Sequence, residues 1–382
     1  MKNKTADSRR MRRHWTVLSR AAGVILAPVY RYKYQKSDIT GPALVVSNHA
    51  ANFDPIALGL LFPKMPMHFV VTENLMRQKG VSQFLKYLFE PIARRKGANG
   101  AGTAMQCLRA LRSGQSVAVF AEGETCWDGR TTPIFPGTGF LAKAAKVKLV
   151  TCRLTGGYMT APRWAKGIRK GECHGKIVRV YAPEEVAGMS SEELDAVIQR
   201  DITVDALEEE KKNPVVYKSR RRAEWIENLL FICPACGQYG SMHSRGNTLR
   251  CACGMTAEMG ETGFFEAGAP MTDLREWHRW QQKRLKEDFA AGKVPAFREP
   301  MGRFFRFEDR KAVLIGKFPL ECEDAVIRIG EKVFPMAEIE DLAVAMKTRI
   351  QFTSGGQYYE WLAEGPRNLI KYKLLREIAK GE

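Results

Sequence analysis

A chain of 382 residues has room for two or three domains, and its make-up, 45% hydrophobic and 27% charged, is ordinary for a globular protein. The formal net charge of +18 is not ordinary. A surplus of that size seeks polyanions, either nucleic acid or an anionic membrane surface. No internal repeat or low-complexity tract is present, which leaves out repeat architectures.

Residues 1–40 hold ten Lys or Arg against Asp7 and Asp38, a net of +8. Behind this cluster Trp15, Leu18, Ala22, Ile25 and Val29 recur at steps of three and four, one face of a helix, with Arg20 off the stripe. Residues 21–30, AAGVILAPVY, are almost wholly apolar, but ten residues are half of the ~20 that a helix needs to cross a bilayer. The run continues into Arg31-Tyr32-Lys33 without a small-residue cleavage site, unlike a secretory signal. Two arrangements remain: a basic amphipathic helix lying in a membrane interface, or a core helix with a solvated basic tail.

Residues 44–55 read LVVSNHAANFDP. Leu44 to Val46 predict a buried strand, and Asp54-Pro55 before IALGLLF predicts a helix start, with Asp54 as cap and Pro55 in the first helical position. His49 then sits in the strand-to-helix loop. Five residues along a regular helix would set His49 and Asp54 about 140° apart, so only a loop that folds back brings them together. A carboxylate bonded to one imidazole nitrogen fixes the tautomer and leaves the other nitrogen to take a proton. No Ser or Cys is well placed beside them as a nucleophile, so the pair reads as a base for a substrate hydroxyl. The alternative is a loop histidine beside a capping aspartate.

Further along, alternating apolar runs and helical stretches predict strands at 43–47, 67–72, 116–121, 148–154 and 176–181. Helices are predicted at 55–62, 81–89, 101–113, 138–146 and 191–211. Such alternation argues an α/β domain with a largely parallel, covered sheet. Ligands of such sheets gather where strands end, which is where His49, Arg94 and Glu122 fall.

The NHxxxxD pattern of His49 and Asp54 resembles the first signature of the glycerolipid acyltransferases, which include the lysophosphatidic acid acyltransferases. Three further blocks follow in the family's order: FEPIARRKG with Arg94 and Arg95, FAEGET with Phe120, Glu122 and Gly123, and the apolar KLVTCRLTGGY after GFLAKAAK. The likeness spans about residues 12–210. It implies that His49 is the base, that Asp54 orients it, and that an acyl thioester, carried by CoA or by acyl-carrier protein, is the donor. It also implies that Arg94, ahead of Arg95, contacts the acceptor's phosphate while Glu122 and Gly123 shape the glycerol pocket; Asn48 joins this substrate-binding set. Phe120 is expected in the core. Two positions depart from the pattern: Ala121 replaces a proline, and Thr125 stands where the family has an arginine near the anionic acceptor. Arg130, just downstream, is a candidate substitute. A lipid substrate favours the interfacial reading of the N-terminal helix.

Nine cysteines are present. Cys107, Cys126, Cys152, Cys173 and Cys322 are scattered and read as reduced structural thiols. CPAC at Cys233 and Cys236, then CAC at Cys251 and Cys253, are followed by Gly237 and Gly254 with fourteen residues between the pairs. This pattern resembles a zinc ribbon, in which four thiolates hold a structural tetrahedral ion, although the second pair has one intervening residue where two is usual. Two disulfides or a redox pair compete with it; a cytoplasmic lipid enzyme would keep the thiols reduced. His243, between the pairs, reads as an ordinary surface residue.

Residues 272–290 predict a charged helix linking the ribbon to the C-terminal third of the chain. Residues 303–361 switch to β character with a hairpin at Ser354-Gly355-Gly356, and 366–380 predict a terminal helix. Antiparallel strands capped by a helix resemble a pleckstrin-homology-like barrel, which says nothing of function.

The expected organisation is a basic interfacial segment (1–40), an α/β acyltransferase domain of mixed sheet flanked by helices (41–215), a linker helix and zinc ribbon (216–265), a second linker helix (266–300) and a β-rich domain with a terminal helix (301–382). The expected activity is transfer of a fatty acyl group to the free hydroxyl of a lysophospholipid, foremost lysophosphatidic acid, at the inner face of the cell membrane by a cytoplasmic, peripherally bound enzyme. The competing expectations are a different lysolipid, an amine-bearing acceptor, or a basic zinc-ribbon protein that binds nucleic acid and whose acyltransferase-like domain is inactive. The intact His49 and Asp54 pair argues against the last.

Overall fold

The computed structural model describes residues 4–73, 76, 83, 90–94, 100–308 and 311–381, and the side chains of 11 and of 13 onward within them. The chain forms two compact units: one reaches Ser219 without Trp164–Gly167, and these four residues join Arg220 onward in the other.

The first unit is built on a seven-stranded sheet of β1 (Tyr32–Tyr34), β2 (Ala43–Ser47), β3 (Met67–Thr72), β4 (Ile92–Arg94), β5 (Ser116–Phe120), β6 (Lys148–Thr155) and β7 (Cys173–Tyr181). Their spatial order is β1-β7-β6-β2-β5-β3-β4. From β6 to β4 every neighbour is parallel, and β7, antiparallel to β6, carries β1 at the edge. All five residues of β2 are buried. Ala43 and Val45 face one core layer with Leu58 and Leu61, and Leu44 and Val46 face the other with Leu111, Leu141 and Ile198. A strand covered on both faces has no polar side, which is why LVV reads as a continuous apolar run.

The helices of this unit are α1 (Lys4–Val29), α2 (Asp54–Leu61), α3 (Ala101–Arg112), α4 (Thr138–Ala145), α5 (Gly157–Thr160), α6 (Pro183–Gly188), α7 (Ser191–Ile202) and α8 (Ala206–Lys212). All but residue 83 of the helix expected at 81–89 lies outside the described residues. The single helix expected over 191–211 is two. Thr203-Val204-Asp205 breaks it, because Val204 exchanges hydrogen bonds with Thr131 (Thr131 N to Val204 O and Val204 N to Thr131 Oγ1, both 2.9 Å) and Asp205 caps the next helix by accepting from Glu208 N at 3.0 Å.

The α1 stripe divides. Trp15 is buried, with its Nε1 donating to Phe62 O at 2.8 Å, and Ala22 and Leu26 pack against the same core. Ile25 and Val29 are exposed, together with Val17 and Val24. Ile25 turns about 80° from Trp15 around the axis, too far to share its contact. The helix thus has an inward apolar face that docks on α2 and a second, uncovered one. No helix among the described residues is long and apolar enough to cross a membrane.

The second unit starts with a three-stranded antiparallel sheet, β8 (Met242–Arg245), β9 (Thr248–Cys251) and β10 (Thr256–Glu258), in the order β10-β9-β8. The helix α9 (Leu274–Ala290) is no free linker. Trp277 is fully buried with Nε1 donating to Ile232 O at 2.9 Å, and Gln281 accepts from Phe231 N and donates to Leu229 O. Seven antiparallel strands follow: β11 (Phe297–Glu308), β12 (Lys311–Glu323), β13 (Val326–Ile329), β14 (Lys332–Pro335), β15 (Ile339–Ala345), β16 (Arg349–Ser354) and β17 (Gln357–Ala363). They form a half-barrel sheet in the order β14-β13-β12-β11-β17-β16-β15 around Phe304, Phe334, Phe352 and Trp361. The last helix, α10 (Ile370–Lys380), is anchored by Tyr372 to Glu299 and by Arg376 to the carbonyls of Ile339 and Glu340.

Gly139 marks the tightest helix contact of the first unit. A Cβ there would stand 2.1 Å from the carbonyl oxygen of Ser191, at the start of α7. Gly139→Ala is therefore expected to destabilise the first unit by about 1–3 kcal/mol in urea unfolding, and an unchanged midpoint would contradict the packing of α4 on α7.

Candidate active site

The register of the sheet assembles the site. Ser47 at the end of β2 pairs with Phe120 at the end of β5 and with Cys152 in β6. The loops that leave these parallel strands therefore start side by side. Asn48 bridges two of them: its Nδ2 donates to Leu154 O and its Oδ1 accepts from Leu154 N, both at 2.8 Å. That amide is spent on β6 backbone, so Asn48 braces the sheet where a substrate contact was expected.

The loop after β2 folds back on Asp54. Oδ2 of Asp54 lies 2.9 Å from His49 Nδ1 and also accepts from the backbone N–H of Ala50 (2.6 Å) and Ala51 (2.8 Å). Asp54 was expected to cap its own helix; its carboxylate turns to the preceding loop instead, and Phe53 takes the cap position without a side-chain bond. The carboxylate is buried, whereas the imidazole keeps about a fifth of its surface open (20%). An ionised carboxylate can only accept, so in the neutral imidazole this contact favours the tautomer with the proton on Nδ1 and the lone pair on Nε2. The His49 ring stacks on Phe120 with centroids 4.3 Å apart, which makes Phe120 a contact of the imidazole and not only a core residue.

Glu122, two residues after β5, holds this loop from the other side. Its Oε1 accepts from His49 N at 2.7 Å, and its Oε2 accepts from Thr132 N (2.7 Å) and Thr132 Oγ1 (3.0 Å). Cys126 N donates to His49 O at 3.1 Å, so both backbone groups of His49 are tied to the β5 loop. The Glu122 carboxylate faces these backbone groups rather than an open pocket. Burial pushes its pKa up to about 7, with the bonds from His49 and Thr132 opposing the rise. Gly123 follows with φ +72°, and a Cβ there would meet the Phe135 ring at 2.0 Å and Arg94 Nη1 at 2.7 Å. Only glycine allows that approach. Arg94 ends β4, and its guanidinium lies over the Phe135 ring, 3.8 Å from the centroid. His49, Asp54, Glu122, Gly123 and Arg94 are thus brought together by consecutive contacts. Arg95 lies outside the described residues.

Arg130 is not the inward cation. It is exposed, and its backbone bridges to Asp205. Beside Thr125 the structure places Arg163, which sequence reasoning missed. Its Nη1 lies 2.7 Å from Glu124 Oε2 and donates to Thr125 O at 2.9 Å, and its guanidinium stacks 3.9 Å from the Trp127 ring centroid. Arg163 comes from beyond α5, 38 residues after Thr125, and no motif spacing points to it. Thr132 and Phe135 were missed as well; both follow the third block directly, in a stretch read only for Arg130.

The four clustered cysteines of the second unit converge. Cys233 Sγ is 3.8 Å from Cys253 Sγ, Cys236 Sγ is 3.8 Å from Cys251 Sγ, and all four sulfurs lie within 4.8 Å of one another. Gly237 and Gly254, both at positive φ, close the two knuckles by donating to the carbonyls of Cys233 and Cys251. A tetrahedral ion with metal–sulfur bonds of about 2.3 Å needs sulfurs about 3.8 Å apart, so the four thiols are spaced to hold a metal ion. His243 is exposed on β8. The other five cysteines are free and buried.

A carboxyl whose folded pKa is raised contributes stability that is present while it is protonated and lost as pH climbs from its unfolded to its folded value. For Glu122 that window runs from 4.5 to about 7. The stability of the wild type relative to Glu122→Gln is expected to fall across this window, by up to about 3 kcal/mol. Urea titrations at several pH values measure the difference, and one that stays flat contradicts the placement of Glu122.

Residues 29–155 match the family model named Acyltransferase. The 1-acyl-sn-glycerophosphate (LPA) acyltransferase PlsC from Thermotoga maritima is a similar solved structure, with TM-score 0.44, 18% sequence identity, and coverage of 56% of this chain and 84% of that one. The matched segment contains the β2 loop, β5 and its loop, and β6, and residues 29–155 of this chain are therefore an acyltransferase-family domain.

Proposed function

We propose that the first unit transfers a fatty acyl group from an acyl thioester, on CoA or on acyl-carrier protein, to the free hydroxyl of a lysophospholipid, foremost lysophosphatidic acid. The observation that carries this reading is the 2.9 Å bond between His49 Nδ1 and Asp54, which leaves Nε2 as an acceptor at the mouth of the parallel strands. Nε2 takes the proton of the acceptor hydroxyl as its oxygen attacks the thioester carbonyl. The carbon–sulfur bond breaks, the thiolate leaves with the proton from the imidazolium, and an ester remains. Asp54 offsets the positive charge that the ring carries between the two steps. The thiolate needs little assistance, because thiols are far more acidic than alcohols.

For the acceptor, Arg94 is the candidate phosphate contact. In support, its guanidinium packs against Gly123, one residue from the carboxylate that holds His49. Arg163 is a cation beside the place of the missing arginine, but Glu124 already neutralises it, which makes the headgroup the least constrained part of the substrate. A lipid acceptor calls for a membrane surface. The uncovered face of α1 (Val17, Val24, Ile25, Val29), with Arg13 and Arg20 also exposed on that helix, suits peripheral attachment to the anionic inner face of the cell membrane. Zinc is the ion that best suits four thiolates, and its role here would be to fold the ribbon.

In an assay of acyl transfer from acyl-CoA to a panel of lysolipids, lysophosphatidic acid is expected to be the best acceptor. His49→Ala and Asp54→Asn are each expected to lower kcat by about 10²–10⁴. Equal turnover in wild type and His49→Ala would remove the proposed base. For the metal, elemental analysis is expected to find about one zinc per chain, and a chelator is expected to expose residues 230–260 to protease. A fully folded, metal-free protein would remove the zinc assignment.

A further inference from the structure

A groove of about 460 Å³ runs along one side of α1, and none of the residues lining it belongs to the His49 loop. Its floor is apolar, made by Trp15, Leu60 and Pro63, and its rim carries Arg20, Lys36 and Lys64. The floor is fixed in place: Trp15 is buried and bonded through Nε1 to Phe62 O, and Leu60 belongs to the same core cluster. The rim is open. Lys64 reaches Asp38 at 2.6 Å, with both side chains largely in solvent, and three cations against one carboxylate leave the rim positive.

Such a lining selects for a molecule that is apolar on one side and anionic on the other. Free phosphate would leave the partly open apolar lining of Tyr34, Pro63 and Pro66 uncovered, and a hydrocarbon would leave the cations unmatched. The setting narrows the choice further. On the helix surface Arg13 and Arg20 stand between the groove and the exposed valines Val17 and Val24, since positions 13 and 20 lie about 20–60° from positions 17 and 24 around the axis. Arg20 is thus shared between the rim of the groove and the flank of this valine pair.

We propose that this groove binds the phosphate and upper acyl segment of an anionic membrane phospholipid that is not the substrate. The site rests on the membrane reading given above and adds to it a specific headgroup seat. It separates attachment into two parts: the outer valines partition into lipid without regard to headgroup, and the groove chooses anionic ones.

Calorimetric titration of the full chain with dihexanoyl phosphatidylglycerol, kept below its micelle concentration, tests the seat without a bilayer. Lys36→Gln/Lys64→Gln is expected to bind this lipid roughly 30-fold more weakly than wild type. Arg20→Gln serves as a second variant, and thermal unfolding checks that each is folded. sn-Glycerol 3-phosphate, which lacks the acyl part, is expected to bind far more weakly than the lipid. Val17→Ser/Val24→Ser is expected to keep the affinity for the soluble lipid and to lose sedimentation with vesicles of phosphatidylcholine and phosphatidylglycerol. Unchanged lipid affinity in the rim variants overturns the groove, whatever the vesicles do. Equal affinity for glycerol phosphate and for the lipid overturns a lipid occupant. Undiminished vesicle binding by the valine variant overturns the membrane reading, leaving the soluble titration to decide the groove by itself.

Discussion

The carboxylate of Asp54 is the point on which the first unit turns. One oxygen accepts from the imidazole of His49 and from two consecutive backbone N–H groups, Ala50 and Ala51. A buried carboxylate is costly unless its lone pairs are used, and here the groups that use them belong to the loop it must shape. The same contacts that satisfy the charge fold the loop back and orient the ring. The start of α2 adds its dipole, which favours negative charge at that end of the helix. Loss of the carboxylate would leave two donors of the loop unpaired and release the imidazole.

The rest of the unit serves to keep that loop in place. Asn48 fastens its beginning to β6, Glu122 and Cys126 fasten the backbone of His49 to the β5 loop, and Phe120 supports the ring. Backbone donors and acceptors do most of this work, because they are fixed by the sheet. The two carboxylates near His49 divide the labour: Asp54 faces the ring and Glu122 faces the chain. Burial pushes the pKa of Glu122 up to about 7, so its charge is sensitive to pH around neutrality.

Much of this was legible in the amino-acid order. A strand covered on both faces must read as an apolar run, and the parallel strands with their intervening helices follow from that alternation. The His49 and Asp54 spacing demanded a loop that reverses, and the loop does so. The cysteine pairs, each closed by a glycine, announced their convergence. What was not legible depends on contacts distant in sequence. Arg163 reaches Thr125 across α4, β6 and α5, and its partner Glu124 looks like any surface acid in a one-dimensional string. The break at Thr203-Val204-Asp205 is imposed by Thr131, which lies 73 residues earlier. For α1, a 3.6-residue period reveals apolar faces but not which of two neighbouring faces packs inward; Trp15 decided that by fitting beside Leu61 and Phe62 in the core. Glu122 and Asn48 were recognised as belonging to the site, yet their work on backbone groups is visible only once the strands are in register.

The central claim is a tautomer: His49 protonated on Nδ1 and bare on Nε2. Nitrogen NMR of the chain labelled at histidine, with His49→Ala to assign the signal, reads it directly at neutral pH. The geometry predicts an Nδ1–H resonance shifted downfield by its carboxylate partner, lost in Asp54→Asn, together with an unprotonated Nε2. A His49 ring that carries its proton on Nε2, or whose signals are indifferent to Asp54, would contradict it.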